Sequence, residues 1–255
     1  MTETLNGKIA IVTGGSRNIG RESALRLAAA GADVIISYRQ NLEAANSVVE
    51  KISELGVRAV ALQADFTGTQ GIDSFVSGVF AKLDEWGRDS FDILVNNAGA
   101  LRRGLFDVVS EDDLDFIYET NYKSVFFLTQ KLAARIADNG RIVNLGSGTA
   151  RIAFGPLVAY GPLKAALASL TLYLASYFGD RGITVNTIAP GGLDDDFNAD
   201  LFHEMPQARD YIRGNTALGR IGLPSDVAGV IEFVCRPEAG FVSGATINVD
   251  GGYHL

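Results

Sequence analysis

Tyr160 and Lys164 stand four residues apart in the segment YGPLK, and Ser147 precedes the tyrosine by thirteen. On a helix, residues four apart lie one turn apart on the same face. An ammonium there can assist a phenol: at ~4 Å and an effective dielectric of about 20, the attraction between Lys⁺ and phenolate is about 4 kcal/mol. That corresponds to roughly three pKa units, enough to bring a phenol from about 10 toward neutrality before opposing desolvation is counted. Tyr160 is then a candidate general acid and base. Eight tyrosines and six lysines in 255 residues give such a pair by chance in about one chain in five, so a core tyrosine explains the pair equally well. Ser147, at the end of an apolar run, adds a hydroxyl and lowers the coincidence to about one in a hundred.

A second stretch, VTGGSRNIG at residues 12–20, is a glycine-rich bend straight after the apolar run IAIVT. A strand-loop-helix turn in that place offers backbone N–H groups and a positive helix end to a pyrophosphate. Glycine serves where φ is positive or where a side chain would bump the ligand. Asn enters the left-handed region most cheaply among the other residues, so Asn18 can stand in for a third glycine. An ordinary polar loop is the competing reading, and the position after the first strand favours the phosphate. Ser37, Tyr38 and Arg39 close the second apolar run, with no acid to take ribose hydroxyls and repel a 2′-phosphate. Arg39 and Arg17 can form a charged fork around such a phosphate, which predicts NADP(H) over NAD. Two solvated surface arginines account for the same residues. Asp65, after the third run, is placed either to contact an adenine or to form a turn.

These groups need a frame. The runs IAIVT, VIIS, VRAVALQ, FDILVN, RIVNLG, ITVNTIA and ATINVD recur along the chain, each but the last followed by a longer stretch of helical period. Strands alternating with helices predict parallel pairing and a sheet covered on both faces, an open doubly wound α/β architecture with seven strands. Leu42, Ala45, Val49 and Ile52 predict a helix ending near Leu55 and Gly56. Ala24, Leu27 and Ala28 predict another that ends at Gly31. The whole chain, 1–255, reads as one domain, and its least regular part, 191–215, is a candidate lid.

Composition excludes several other chemistries. A formal charge of -8 argues against a general nucleic-acid surface. The single Cys235 allows neither a disulfide framework nor a thiolate metal site within one chain, which fits a reducing cytoplasm. His203 and His254 are the only histidines, so a Ser-His-Asp hydrolase or a His-rich zinc site is a poor fit. The opening MTETLNGK lacks the apolar core of a secretion signal, and no apolar run approaches the ~20 residues of a membrane helix. The expectation is a soluble protein with no resident metal.

Taken together, these residues resemble the short-chain dehydrogenase/reductase family, and in particular its 3-oxoacyl-carrier-protein reductases. The similarity spans residues 8–252: TGGSRNIG resembles the family's cofactor loop, NNAG at 96–99 its mid-sheet motif, Asn121 its helix asparagine, and Ser147, Tyr160 and Lys164 its catalytic trio. APG at 189–191 and VDGG at 249–252 match as well. The resemblance implies a Rossmann-like fold and a reversible, NADPH-dependent reduction of a ketone or 3-oxoacyl carbonyl. Ser147 would bond the substrate oxygen and Tyr160 would exchange the proton. Lys164 would lower the tyrosine pKa and hold the nicotinamide ribose, and Asn121 would position a water in a relay to Lys164. For Asn121 the alternative is a buried amide tying helix to sheet. The cofactor would be met by Gly14, Ser16, Arg17, Asn18 and Ile19 in the loop, by Tyr38, Arg39, Asp65 and Phe66 on the adenosine side, and by Asn97, Ala98 and Gly99. Tyr160, Lys164, Pro190, Gly191 and Leu193 would complete its site, although simple packing also explains Leu193.

The sequence departs from the family at Asn18, in place of a glycine, and at Asp195, in place of a frequent threonine. Asp195 sits in an acidic trio with Asp194 and Asp196, which would weaken the cofactor grip unless the loop points these acids into water. A carboxylate metal site there is the rival to a solvated loop. Pro162 is tolerable only near a helix start. Arg102, Arg103 and Arg151 either greet an anionic substrate or acidic carrier protein, or are surface charges. The resemblance also implies a homotetramer, with a homodimer as the alternative. Two rival functions stay open: a catalytically silent NADP-binding or sensing protein, and an NAD-linked sugar or steroid alcohol dehydrogenase.

Overall fold

The computed structural model describes residues 4–255, so the first three residues of the polar opening lie outside the described part. All seven apolar runs form strands: β1 (Ile9–Val12), β2 (Asp33–Tyr38), β3 (Ala59–Gln63), β4 (Phe91–Asn96), β5 (Ile136–Leu145), β6 (Thr184–Pro190) and β7 (Thr246–Val249). They build one sheet in the order β3-β2-β1-β4-β5-β6-β7, with every neighbouring pair parallel. β1 and β4 are buried along their whole length, as continuous apolar strands covered on both faces must be.

The covering helices are α1 (Asn18–Ala29), α2 (Leu42–Ser53), α3 (Thr69–Glu85), α4 (Glu111–Tyr118), α5 (Ser124–Leu132), α6 (Tyr160–Phe178), α7 (Ala199–Glu204), α8 (Gln207–Gly214) and α9 (Pro224–Cys235). On one face of the sheet, Ala24 and Leu27 of α1 and Val227 and Ile231 of α9 pack with Val12 and Ile36. On the other, Phe75 and Val79 of α3, Leu128 of α5 and Phe178 of α6 pack with Ile11 and Leu94. The architecture is a doubly wound, Rossmann-like α/β sheet.

The helix stops fall where the glycines were expected to put them, with φ of +101° at Gly31 and +85° at Gly56. The buried face of α2 is Ala45, Val48 and Ile52, while Leu42 and Leu55 are exposed at its ends. The helix forms where the spacing put it, but its buried face turns on Val48 rather than Val49, and Leu42 lies off that face. Residues 191–215 are more regular than expected, because they hold α7 and α8. Among the described residues no helix is long and apolar enough to cross a membrane.

Strand order reverses between β1 and β4, and ligands of open α/β sheets sit in the crevice beyond the carboxyl ends at such a switch point. The loops that leave β1 and β4 there are TGGSRNIG and NNAG. Two motifs that begin 83 residues apart in sequence, at Thr13 and Asn96, therefore become neighbours through parallel pairing alone.

Candidate active site

The glycine loop is held from three sides. Ser37 Oγ accepts from the Gly14 N–H at 2.8 Å, and the Gly15 N–H donates to the Ser37 carbonyl at 2.9 Å. Thr13 Oγ1 accepts from the N–H groups of Asn97 and Ala98, each at 2.9 Å. Asn97 Nδ2 donates to the carbonyls of Thr13 at 2.8 Å and Gly14 at 3.2 Å. Asn97 is thereby a clamp on the loop. Close approach dictates two glycines: a Cβ on Gly20 would lie 2.2 Å from the Gly14 carbonyl oxygen, and Gly14 itself has φ +64°. Asn18 has φ +50°, the left-handed conformation expected of a residue replacing glycine.

Asn18 opens α1, and the preceding Arg17 is extended and gives the helix no side-chain cap. The first-turn N–H groups are orphans of the helix itself, so they and the positive helix end suit an anion. The cradle fits a dinucleotide pyrophosphate. Ile19 and Ala98 pack against the two cores, and Ser16 is half-buried beside the exposed Arg17.

At the adenosine side, Arg39 Nε donates to Asp65 Oδ2 at 2.9 Å. Arg39 thus meets Asp65, the residue assigned to the adenine, in an exposed ion pair. Burial raises the Asp65 pKa, but bonds from Thr67 and the Arg39 charge outweigh it and hold the carboxyl below its usual range. Tyr38 is buried at the end of β2, and Phe66 lies edge-on to Phe75 at 5.4 Å between ring centroids.

The proton-handling groups lie on α6, which begins at Tyr160. Pro162 falls in the first turn, where its missing N–H costs little. Tyr160 and Lys164 face inward, 7% and 4% exposed. Lys164 Nζ donates to the Leu145 carbonyl of β5 at 2.7 Å and sits 5.4 Å from the centroid of the Tyr160 ring.

Ser147, two residues past β5, accepts from Thr149 N–H at 3.2 Å and from Thr149 Oγ1 at 2.9 Å. Its own proton is left for the phenol, to which it hydrogen-bonds. Gly161 permits the approach, since a Cβ there would lie 2.9 Å from the Thr149 carbonyl oxygen.

Here the expectation of an acidified phenol is corrected. Burial pushes the Tyr160 pKa well above its ordinary value; the Ser147 hydrogen bond opposes that rise and the charge of Asp195 adds to it. The same burial pushes Lys164 down to about 8. Desolvation, set aside in the pairwise Coulomb argument, is the larger effect.

Asn121 lies in a π-helical turn, Glu119–Lys123, between α4 and α5. Such bulges place a side chain off the regular helical face and recur at functional sites. Its Nδ2 donates to the carbonyls of Ala100 at 2.8 Å and Ile117 at 3.0 Å, the helix-to-sheet tie weighed as the alternative. Its Oδ1 is buried without a partner among the described residues and faces Gly99, whose Cβ would lie 2.7 Å from it. Such a buried acceptor requires a donor, which leaves one lone-pair face free for a relay.

Beyond β6, Gly191 is pressed against Asp250, with 2.8 Å between its would-be Cβ and Asp250 Cα. Pro190 ends β6. The Leu193 side chain is buried in the core beside α9, the packing role. Asp194 and Asp196 are exposed, but Asp195 is half-buried and burial raises its pKa. The loop turns two acids to water and the third inward.

The three rim arginines are not free. Arg151 pairs with Asp250 at 3.1 Å, Arg102 with Asp113 at 3.8 Å, and Arg103 donates to Asn198 Oδ1 at 3.2 Å.

Sequence reasoning missed Thr13, Thr149, Gly161 and a buried polar ladder. In that ladder Asn96 Nδ2 donates to Asn144 Oδ1 at 2.9 Å, Asn144 Nδ2 to Thr171 Oγ1 at 2.9 Å, and Thr171 meets Thr187 Oγ1 at 2.7 Å. One signal was present: asparagines inside the apolar runs FDILVN and RIVNLG are polar groups in strands that both faces bury.

A serine, a phenol and an ammonium thus lie at the carboxyl edge of the sheet that also carries the glycine-rich turn. The sequence matches, over residues 14–254, the family described as Enoyl-(Acyl carrier protein) reductase. It is 36% identical over 264 residues to a short-chain dehydrogenase/reductase of Pestalotiopsis microspora, covering 97% of this chain and 96% of that protein. To the 3-oxoacyl-acyl-carrier-protein reductase of Staphylococcus aureus it is 34% identical over 250 residues, covering 97% and 98% respectively. Among solved structures, the angucycline C-6 ketoreductase LanV with bound NADP superposes with a TM-score of 0.95 at 36% identity, over 100% of this chain and 98% of the other. The chain belongs to the short-chain dehydrogenase/reductase family.

Two outcomes follow from this geometry. Asn18→Gly should keep NADPH affinity within a few-fold and Asn18→Val should lose at least about tenfold, because a β-branched residue resists positive φ; equal titrations of both variants would dismiss the left-handed requirement. For carbonyl reduction, kcat/KM should stay level from pH 6 to 7.5 and fall above about pH 8 as Lys164 loses its proton. A profile flat to pH 10 would show that its charge is not needed.

Proposed function

We propose that this protein is an NADPH-dependent carbonyl reductase that converts a ketone or 3-oxoacyl group to an alcohol. The observation that carries the reading is the buried Tyr160–Lys164 pair with the half-buried Ser147 beside it at the carboxyl edge of the sheet. A reduced nicotinamide bound in the cradle would supply the hydride. With substrate bound, the Ser147 proton would turn from the phenol to the substrate oxygen, and Tyr160 would give its proton to that oxygen as negative charge develops there. Lys164 steadies the resulting tyrosinate through its charge. A phenol that holds its proton is available as a donor throughout the neutral range, and the reverse oxidation would use the same groups with the proton moving back.

The preference for NADPH is supported by the NADP bound to LanV, by the exposed Arg17, and by Arg39, which can exchange Asp65 for a 2′-phosphate. Residues 191–215, with α7 and α8, are proposed as the lid. A homo-oligomer, a tetramer by family resemblance, is supported by the exposed Leu172, Tyr173 and Tyr177 on α6 and by the partly exposed edge strand β7. The buried free thiol of Cys235 accords with a reducing cytoplasm.

Tyr160→Phe should remove at least about 99% of NADPH-linked turnover on a panel of ketones and 3-oxoacyl thioesters while leaving NADPH binding within a few-fold. Undiminished turnover would refute the mechanism; NADPH binding with no turnover by the unaltered enzyme would favour the silent sensor. Arg39→Ala should lower the ratio of kcat/KM for NADPH over NADH by at least about tenfold. An unchanged ratio, or NADH preference in the unaltered enzyme, would favour an NAD-linked dehydrogenase.

A further inference from the structure

The proposed lid, residues 191–215, is tied to the C-terminal part of the chain by backbone bonds. The Asp194 N–H donates to the Gly222 carbonyl at 2.9 Å, the Gly222 N–H to the Gly192 carbonyl at 3.1 Å, and the His254 N–H to the Asn215 carbonyl at 3.0 Å. One side-chain bond runs the other way. Arg103, half-buried in the loop that follows NNAG, donates from Nη2 to Asn198 Oδ1 at 3.2 Å. In the sheet β5 lies between β4 and β6, and Ser147 follows the end of β5. A bond from the loop after β4 to the segment after β6 therefore bridges the two strands that flank the serine.

Both ends of this bridge are anchored. The Gly104 N–H donates to the Pro156 carbonyl at 2.9 Å, in the stretch that runs into α6, so Arg103 stands on a loop sewn to the approach to Tyr160. Asn198, just before α7, donates from Nδ2 to the Leu193 carbonyl and to Asp195 Oδ1, each at 3.1 Å, and from its N–H to Asp195 Oδ1 at 3.2 Å. It thereby gathers 193–198 into one turn, and the Phe197 ring of that turn lies 6.5 Å from the Tyr160 ring, centroid to centroid, within the range of aromatic contact. Whatever fixes Asn198 fixes the apolar cover of the phenol.

We propose that Arg103 is a positioning residue: by bonding Asn198 it keeps 193–198 folded over Tyr160, so that a carbonyl substrate meets a preformed site. It acts through Asn198 rather than on the reacting atoms. This rests on the reductase reading and adds to it the residue that governs the lid. A ligand that binds only the closed arrangement loses apparent affinity in proportion to the open fraction, and the bridge keeps that fraction small. A hydrogen bond from a charged, half-buried donor is strong enough to shift a loop's opening equilibrium about tenfold.

Amide hydrogen exchange of the protein without ligand reads the lid directly. Arg103→Ala should speed exchange across 193–204 at least about fivefold and leave α6 within about twofold. Asn198→Ala should speed it as well, and adding Arg103→Ala to Asn198→Ala should change it less than about twofold, because the two residues share one bond. In NADPH-linked reduction of ethyl 3-oxobutanoate, Arg103→Ala should raise KM at least about fivefold with kcat within about threefold, and that rise should likewise vanish in the Asn198→Ala background. Arg102→Ala, at the exposed neighbour that pairs with Asp113, should reproduce neither effect. Unchanged lid exchange in Arg103→Ala, additive effects of the two substitutions, a loss of kcat with KM unchanged, or the same changes in Arg102→Ala would each overturn the role. If neither ethyl 3-oxobutanoate nor any other carbonyl is reduced, the reductase reading fails while hydrogen exchange still decides the part played by Arg103.

Discussion

The hydrogen bond from Lys164 Nζ to the Leu145 carbonyl, 2.7 Å long, is the contact on which the rest of the site depends. Leu145 is the last residue of β5, and Ser147 follows two residues later. By tying the first turn of α6 to the end of that strand, the bond sets the phenol and the serine hydroxyl at one distance from each other. It also satisfies part of a buried ammonium, which otherwise would be too costly to keep. With its pKa lowered from 10.5 to about 8, Lys164 costs the fold about 3 kcal/mol wherever it is charged in both states, that is, below about pH 8. The penalty fades as the pH rises toward the unfolded value, where the chain has no need to hold the charge. Activity and stability thus pull in opposite directions at this one side chain.

The polar ladder from Asn96 through Asn144 and Thr171 to Thr187 continues the same tie deeper into the molecule. Apolar packing alone would let α6 slide or rotate on the sheet, since hydrophobic contact is non-directional. Hydrogen bonds between buried amides and hydroxyls are directional, and their loss in a displaced arrangement leaves unsatisfied polar groups. Thr171 lies seven residues beyond Lys164, two turns along the same face of α6, so both fasten the helix in one register. Gly161 and Thr149 complete the arrangement at the near end, one by leaving out a side chain and the other by turning the serine proton toward the phenol.

What the sequence revealed depended on the range of the interaction. The seven strands were legible because apolar runs of a few residues are a local signal, and their parallel order follows from the helices between them. Asn18 was legible because its left-handed backbone is a property of residue type. The acidity of Tyr160 was misjudged because a pair seen in sequence shows its Coulomb attraction and hides its burial. Arg39 and Asp65 were each assigned to the cofactor separately, since nothing in a spacing of 26 residues reveals that β2 and β3 lie side by side and let them pair. The inward turn of Asp195 was invisible for the same reason: Asn198, which holds it, is recognisable as a partner only once the loop is folded.

The opposite shifts of the two central groups have one cause and a catalytic consequence. Burial disfavours charge, so it raises the phenol and lowers the ammonium. Before proton transfer the pocket holds a neutral phenol beside a cation whose solvation is incomplete. In the proposed reaction, transfer would leave a tyrosinate beside that same cation, each the other's counter-charge in a medium where such an attraction is stronger than in water. Burial by itself therefore works against the tyrosinate, and in the proposed reaction the Ser147 hydrogen bond and the Lys164 charge would have to offset that cost. A half-buried carboxylate at Asp195 adds to that cost by opposing the tyrosinate.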